Sequence, residues 1–199
     1  MRLQEVHPAL VHFPLAFIPL SIGADLIGRI TGSEALMNLG KRTMPLAVAS
    51  GLVAGAAGLI AQTEVEAEGV ALDQLKTHRT LNLGLVTAAA AMSVYRARTE
   101  KPGLGYLLAG VAALVALDYS AYLGGAMVYQ HGVGVDAANG VRTNPPVPEL
   151  TPGSAADAAR TAWTDLEKGI QMTVEETAKG DLVPALTRHA GNDASASAG

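Results

Sequence analysis

Cysteine is absent from this chain, and only 16% of its 199 residues are charged. Without cysteine there is no disulfide, zinc ribbon, iron–sulfur cluster, thiolate-ligated haem or covalent c-type haem. A soluble domain of this length carries about 25% charged residues, so this one is short of the groups that solvate a surface. Basic residues are also in short supply: 14 Lys and Arg stand against 18 Asp and Glu, a net charge of −4. That balance excludes nucleic acid as a partner, because phosphate binding needs a concentrated basic face. The chain also lacks a phosphate loop, a nucleophile elbow, a zincin helix and a dinucleotide fingerprint.

What the chain has is apolar residues, 49% of the total, gathered in four blocks. They run from about Pro8 to Ile30, Met44 to Ala61, Leu75 to Tyr95 and Leu104 to Tyr129. Each approaches the ~20 residues that cross ~30 Å of hydrocarbon as a helix. The expected fold is an all-α, four-helix transmembrane bundle over residues 1–141. The first block has a leader-like charge at Arg2, but Glu5, His12, Pro14 and Pro19 interrupt it, so it reads as a retained span. The small residues Gly51, Gly55 and Gly58 in the second block predict close helix packing.

Lysine and arginine set the expected orientation in the membrane. Arg29, Lys41 and Arg42 follow the first block, and Arg96, Arg98 and Lys101 follow the third. Both loops are expected in the cytoplasm, with the N-terminus, the middle loop and the C-terminal tail outside. Residues 142–153 are proline-rich and predict an extended surface linker. Residues 154–199 predict one amphipathic helix, capped by Ser154, then a disordered end. Trp163, Leu166, Ile170 and Val174 form its apolar stripe, which is expected to dock on protein, either the chain's own outer loops or a partner.

Four of the five histidines fall at the expected outer end. His7 is expected to cap the first helix before Pro8, and His12 to lie one turn deeper. His78 falls at similar depth on the third helix, and His131 follows the fourth. Ionisable groups at membrane depth are costly and usually functional. Two imidazoles at matched depth on separate helices suit the axial positions of haem b, so His12 and His78 are the expected ligands. Arg79 is the expected propionate contact, with His7 and His131 as further contacts or ligands of a second metal. Imidazole equally suits copper or zinc, so a non-haem site on the same histidines stays open. So does a reading in which they only cap helices and satisfy carbonyls. Asp118, one turn before Tyr122, is open between a proton relay and a hydrogen-bonded interfacial group, whereas Asp25 reads as interfacial.

The segments HPALVHFP, KTHRTLN and GGAMVYQHGVGV together resemble the DUF2231 family of bacterial four-helix membrane proteins over roughly residues 5–136. The resemblance places the family's histidines on His7, His12, His78 and His131, and its glycines on Gly124, Gly125, Gly132 and Gly134. Some similar proteins carry a fused Rieske domain, which implies an electron-transfer setting. This tail has no cysteine and cannot hold such a cluster. The function expected is therefore a membrane redox subunit, non-catalytic in itself, that exchanges electrons with a periplasmic redox protein or with other subunits of a membrane complex. A structural or anchoring subunit is the alternative.

Overall fold

The computed structural model describes residues 2–188 except 145 and 148. The expected disordered end lies outside the described residues. Among the described residues the chain forms the helices α1 (Val6–Leu10), α2 (His12–Thr31), α3 (Glu34–Ala61), α4 (Gly69–Arg98), α5 (Leu104–His131) and α6 (Ala155–Ala178), and 184–188 is also helical. No sheet forms among the described residues, which hold only the isolated bridges Arg2–Glu149 and Val65–Val141. The fold is all-α, as the composition predicts.

Three stretches are long and apolar enough to cross a membrane: Leu3–Thr31, Glu34–Ala61 and Leu104–His131. Helix α4 is as long, 30 residues, but its first turns carry Asp73, Lys76, His78 and Arg79. The helices also outrun the apolar blocks. Helix α3 begins ten residues before Met44, because EALMNLGKRT contains no breaker stronger than Gly40. Gly32, with φ of 72°, ends α2, and only Ser33 separates it from α3. His7 is not a cap as expected: the helix opens at Val6, and His7 sits within its first turn.

The chain divides into two compact units. One comprises residues 7–56 and 82–119. Its core takes Ile18 and Ile22 from α2, Met44 and Ala47 from α3, Leu85, Ala89 and Met92 from α4, and Tyr106, Leu107 and Leu117 from α5. Glycine permits the close approaches. A Cβ at Gly110 would stand 2.9 Å from Ile22, and one at Gly51 would stand 3.0 Å from Val86. Gly55 meets nothing within 4 Å, so the small-residue pattern of α3 is only partly used for packing here.

The other unit comprises residues 1–6, 57–81 and 120–199. Leu3, Val141 and Val147 form one buried cluster with Ile60, Leu150 and Ala162 against it. Ala71, Met127 and Val133 form a second. The proline-rich segment is therefore not a free extended linker: Val147 is buried, and Glu149 pairs with Arg2. Helix α6 packs within this unit, but not through the expected stripe. Ala158, Asp165 and Gly169 are buried, whereas Trp163, Ile170 and Val174 are exposed. The reason is steric: a Cβ at Gly169 would stand 2.2 Å from the Leu59 carbonyl. Only a face of small residues comes that close.

Candidate functional site

Each histidine can be placed by its ring hydrogen bonds. His78, half-buried on α4, donates from Nδ1 to the Ser120 carbonyl at 2.8 Å, with the Ser120 hydroxyl 3.0 Å from the same nitrogen. Gly124 lies one turn further along α5, where a Cβ would stand 3.3 Å from the ring. Ser120 and Gly124 thus orient the imidazole and make room for it. Donation from Nδ1 to the Ser120 carbonyl sets the orientation of the ring.

His7 donates from Nδ1 to the Ala54 carbonyl at 2.9 Å, which ties α1 to α3. His12 is exposed and reaches the Ala9 carbonyl at 3.3 Å. His131 is the last residue of α5 and is exposed; Gly132, with φ of 68°, turns the chain after it. His7 and His12 belong to the first unit, and His78, Arg79 and His131 to the second. Among the described residues no group of three or more His, Cys, Asp or Glu is placed to hold a metal ion.

Arg79, the expected propionate contact, is engaged within the protein. Its guanidinium is bonded to Gln62 Oε1 at 2.9 Å and, very closely, to Glu176 of α6. The neighbouring Lys76 pairs with Asp181 at 2.7 Å, and this partner holds the Asp181 carboxyl below its usual range. Arg188 reaches Asp73 at 2.5 Å. These pairs fasten α6 and the chain beyond it to the first turns of α4.

Two polar clusters escape the sequence reading. In the first unit Asp25 and Arg96 form a bidentate pair, both bonds 2.9 Å, with side chains 0% and 1% exposed. The Tyr106 hydroxyl donates to the same carboxylate at 2.8 Å. Arg96 also donates to the carbonyls of Met37, Thr99 and Glu100. Asp25 is thus a buried partner rather than an interfacial group, and Arg96 is not a free loop cation. The signal was present: a lone carboxylate within an apolar run calls for a buried cation. Asp118, by contrast, is exposed on α5.

The second cluster lies in the other unit. Glu64, fully buried, meets Asp165 of α6, and neither Glu64 oxygen has a hydrogen-bond donor. Burial first, then the adjacent Asp165 carboxyl, pushes Glu64 up to about 7, while Arg142 opposes the rise. Arg142 stands 3.8 Å from Asp165, and Lys168 stands 3.4 Å from it. No periodicity in the sequence announces this contact, because it joins residues a hundred positions apart.

A family model described as a predicted membrane protein (DUF2231) matches residues 4–137. No curated protein and no solved structure matches the chain.

Proposed function

We propose, from the premise that this chain belongs to the DUF2231 family of predicted membrane proteins, that it is a membrane redox subunit in which His78 would hold haem b. The setting of His78 carries this reading. Its Nδ1–H donates to the Ser120 carbonyl, which orients the ring. His12, whose ring reaches the Ala9 carbonyl, is the second ligand that the sequence designates. Two imidazoles form a donor set that would suit haem b. When bound, haem b supplies a one-electron ferric/ferrous couple. The chain's own part is to hold each imidazole oriented. Arg79 has no propionate role here, since Glu176 and Gln62 hold its guanidinium. His131, exposed at the end of α5, keeps that role.

In this reading α4 is the fourth crossing, because Leu85, Ala89 and Met92 sit in the same core as residues of three apolar spans. The orientation follows the positive-inside rule, with both termini on the outer face. Arg29, Lys41, Arg42, Arg98 and Lys101 still carry the inner bias without Arg96, and Lys76, Arg79 and Arg142 on the other side are paired with acids. The electron partner is a periplasmic redox protein or a neighbouring subunit.

A second reading is a structural or anchoring subunit, with the histidines as polar ties between helices. The Ala54 partner of His7 favours it. A visible spectrum of the detergent-purified protein, oxidised and then reduced with dithionite, separates the two. Haem b gives sharp low-spin α and β bands that His78→Ala and His12→Ala abolish. Ser120→Ala shifts the potential and keeps the bands. Folded protein with neither haem nor metal by elemental analysis overturns the redox reading, and stoichiometric copper or zinc replaces haem with that metal.

A further inference from the structure

Helix α6 carries three faces rather than two. Ala158, Ala162, Asp165 and Gly169 turn inward. About a third of a turn to one side lie Trp163, Ile170 and Val174, exposed by 64%, 48% and 62%. To the other side lie Asp157, Arg160, Thr164, Lys168, Gln171 and Glu175. A helix that only covered a protein surface in water would show a polar exterior on both flanks.

The contacts of α6 fix its level. Ala162 meets the cluster that holds Leu3, where the first apolar stretch opens, with Ile60 from the last turn of α3. Gly169 sits on the carbonyl of Leu59, and Gln62 Nε2 donates to the carbonyl of Gly169 at 3.0 Å. Glu176 reaches Lys76 and Arg79, just before the apolar stretch of α4. The apolar part of α3, Met44–Ala61, spans ~27 Å at ~1.5 Å per residue, about one hydrocarbon thickness. Leu59 therefore lies at its boundary. Helix α6 crosses the ends of three helices at that one depth, so its axis runs along the membrane surface.

The contacts also say which flank faces the lipid. Lys168, Gln171 and Glu175 line a cleft with Val65, Glu66 and Arg142, residues beyond the end of α3 and so on its water side. Asp165 meets Glu64 in the same loop. Gly169, further round, touches the last turn of α3 itself. Continuing in the same sense around the helix leads past Leu166 to Ile170, Trp163 and Val174. That flank lies on the side away from water.

We infer that α6 is an interfacial helix whose Trp163–Ile170–Val174 flank is seated in the boundary between lipid headgroups and acyl chains, beside the end of α3. Tryptophan suits that depth, with an apolar ring and one N–H donor. Acidic residues outnumber basic ones in the helix (Asp157, Asp165, Glu167, Glu175 and Glu176 against Arg160 and Lys168). The contact is therefore with the apolar edge of a zwitterionic lipid and does not depend on anionic headgroups. The same flank supplies an anchor for a tail outside the part of the chain that the family model matches.

Trp163 is the chain's single tryptophan, so the intact protein reports on the contact by itself. The full chain is reconstituted in phosphatidylcholine vesicles, and its fluorescence is quenched by iodide or by phosphatidylcholine brominated high or low on the acyl chain. The expected result is strong quenching by the high bromines, less by the low ones, and little by iodide. Ile170→Glu with Val174→Glu should at least double the iodide quenching constant, and Thr164→Glu on the water flank should leave it unchanged. Iodide quenching as efficient as for free tryptophan amide would overturn the inference in favour of a water-facing flank. Trp163 shielded from iodide and bromines alike would overturn it in favour of a protein partner or a second copy.

Discussion

Replacing Arg96 by methionine tests whether the Asp25–Arg96–Tyr106 cluster is the polar keystone of the unit it belongs to. The arginine makes five hydrogen bonds: two to Asp25, and one each to the carbonyls of Met37, Thr99 and Glu100. Methionine keeps much of the stem and supplies none of them. The Asp25 carboxylate, fully buried, would retain only the Tyr106 hydroxyl. Breaking one side of a buried pair typically costs about 3–5 kcal/mol, because the surviving charge is left uncompensated. Asp25→Asn combined with Arg96→Met removes both charges and should be less damaging than Arg96→Met alone, at about 1–2 kcal/mol. Asparagine is nearly isosteric with aspartate, which matters because a Cβ on Gly40 would stand only 2.6 Å from this carboxyl. The cycle should give a clear favourable coupling, the double variant costing less than the two singles summed. Reversible unfolding in mixed micelles of rising SDS fraction, followed by far-UV circular dichroism, supplies the free energies. A loss under ~0.5 kcal/mol for Arg96→Met, or a double variant as unstable as the two singles summed, would refute the argument.

Three further outcomes are expected. Glu64 has a native pKa of about 7 against an ordinary 4.5, so the folded state holds its proton more tightly. The stabilisation is complete below pH ~4.5 and lost as pH rises to about 7, by no more than ~3 kcal/mol; Asp165 and Arg142 are the charges facing it. Thermal stability of the wild type should fall from pH 5 to 8, and equal slopes in the wild type and Glu64→Gln would contradict this. Gly169→Ala puts a methyl 2.2 Å from the Leu59 carbonyl, so it should weaken α6 docking by ~1–3 kcal/mol, seen as faster proteolysis within residues 154–178; unchanged cleavage would count against the contact. Cysteine placed at Ser33 should resist an impermeant thiol reagent in intact cells and cysteine at Ser154 should react, in an otherwise cysteine-free background; the opposite pattern reverses the orientation.

The helical content and the places of the long helices were legible in the sequence because a lipid-facing helix is written as a contiguous apolar run, a signal that needs no partner. Helix ends were less legible. Helix α3 runs back to Glu34 because nothing in its polar first turns stops it, and composition marks where lipid begins rather than where hydrogen bonding stops. The family was legible too, from three short histidine- and glycine-bearing segments. The roles of individual site residues were not. His78 and Arg79 are adjacent in sequence, yet one is oriented by Ser120 and the other is consumed by Glu176. Both partners come from remote parts of the chain.

What the sequence by itself determined is therefore the membrane class, the family and the all-α fold. What only the tertiary structure decided is which polar groups are already satisfied and which face of α6 is hidden. Amphipathic periodicity alone would bury Trp163, Ile170 and Val174, because in water the apolar face is the one that folding hides. Here the buried face is the one that holds Gly169 and Asp165, since close approach to Leu59 selects small residues and Arg142 draws the carboxylate inward. In a membrane protein an apolar flank can turn outward without cost where lipid takes the place of a core.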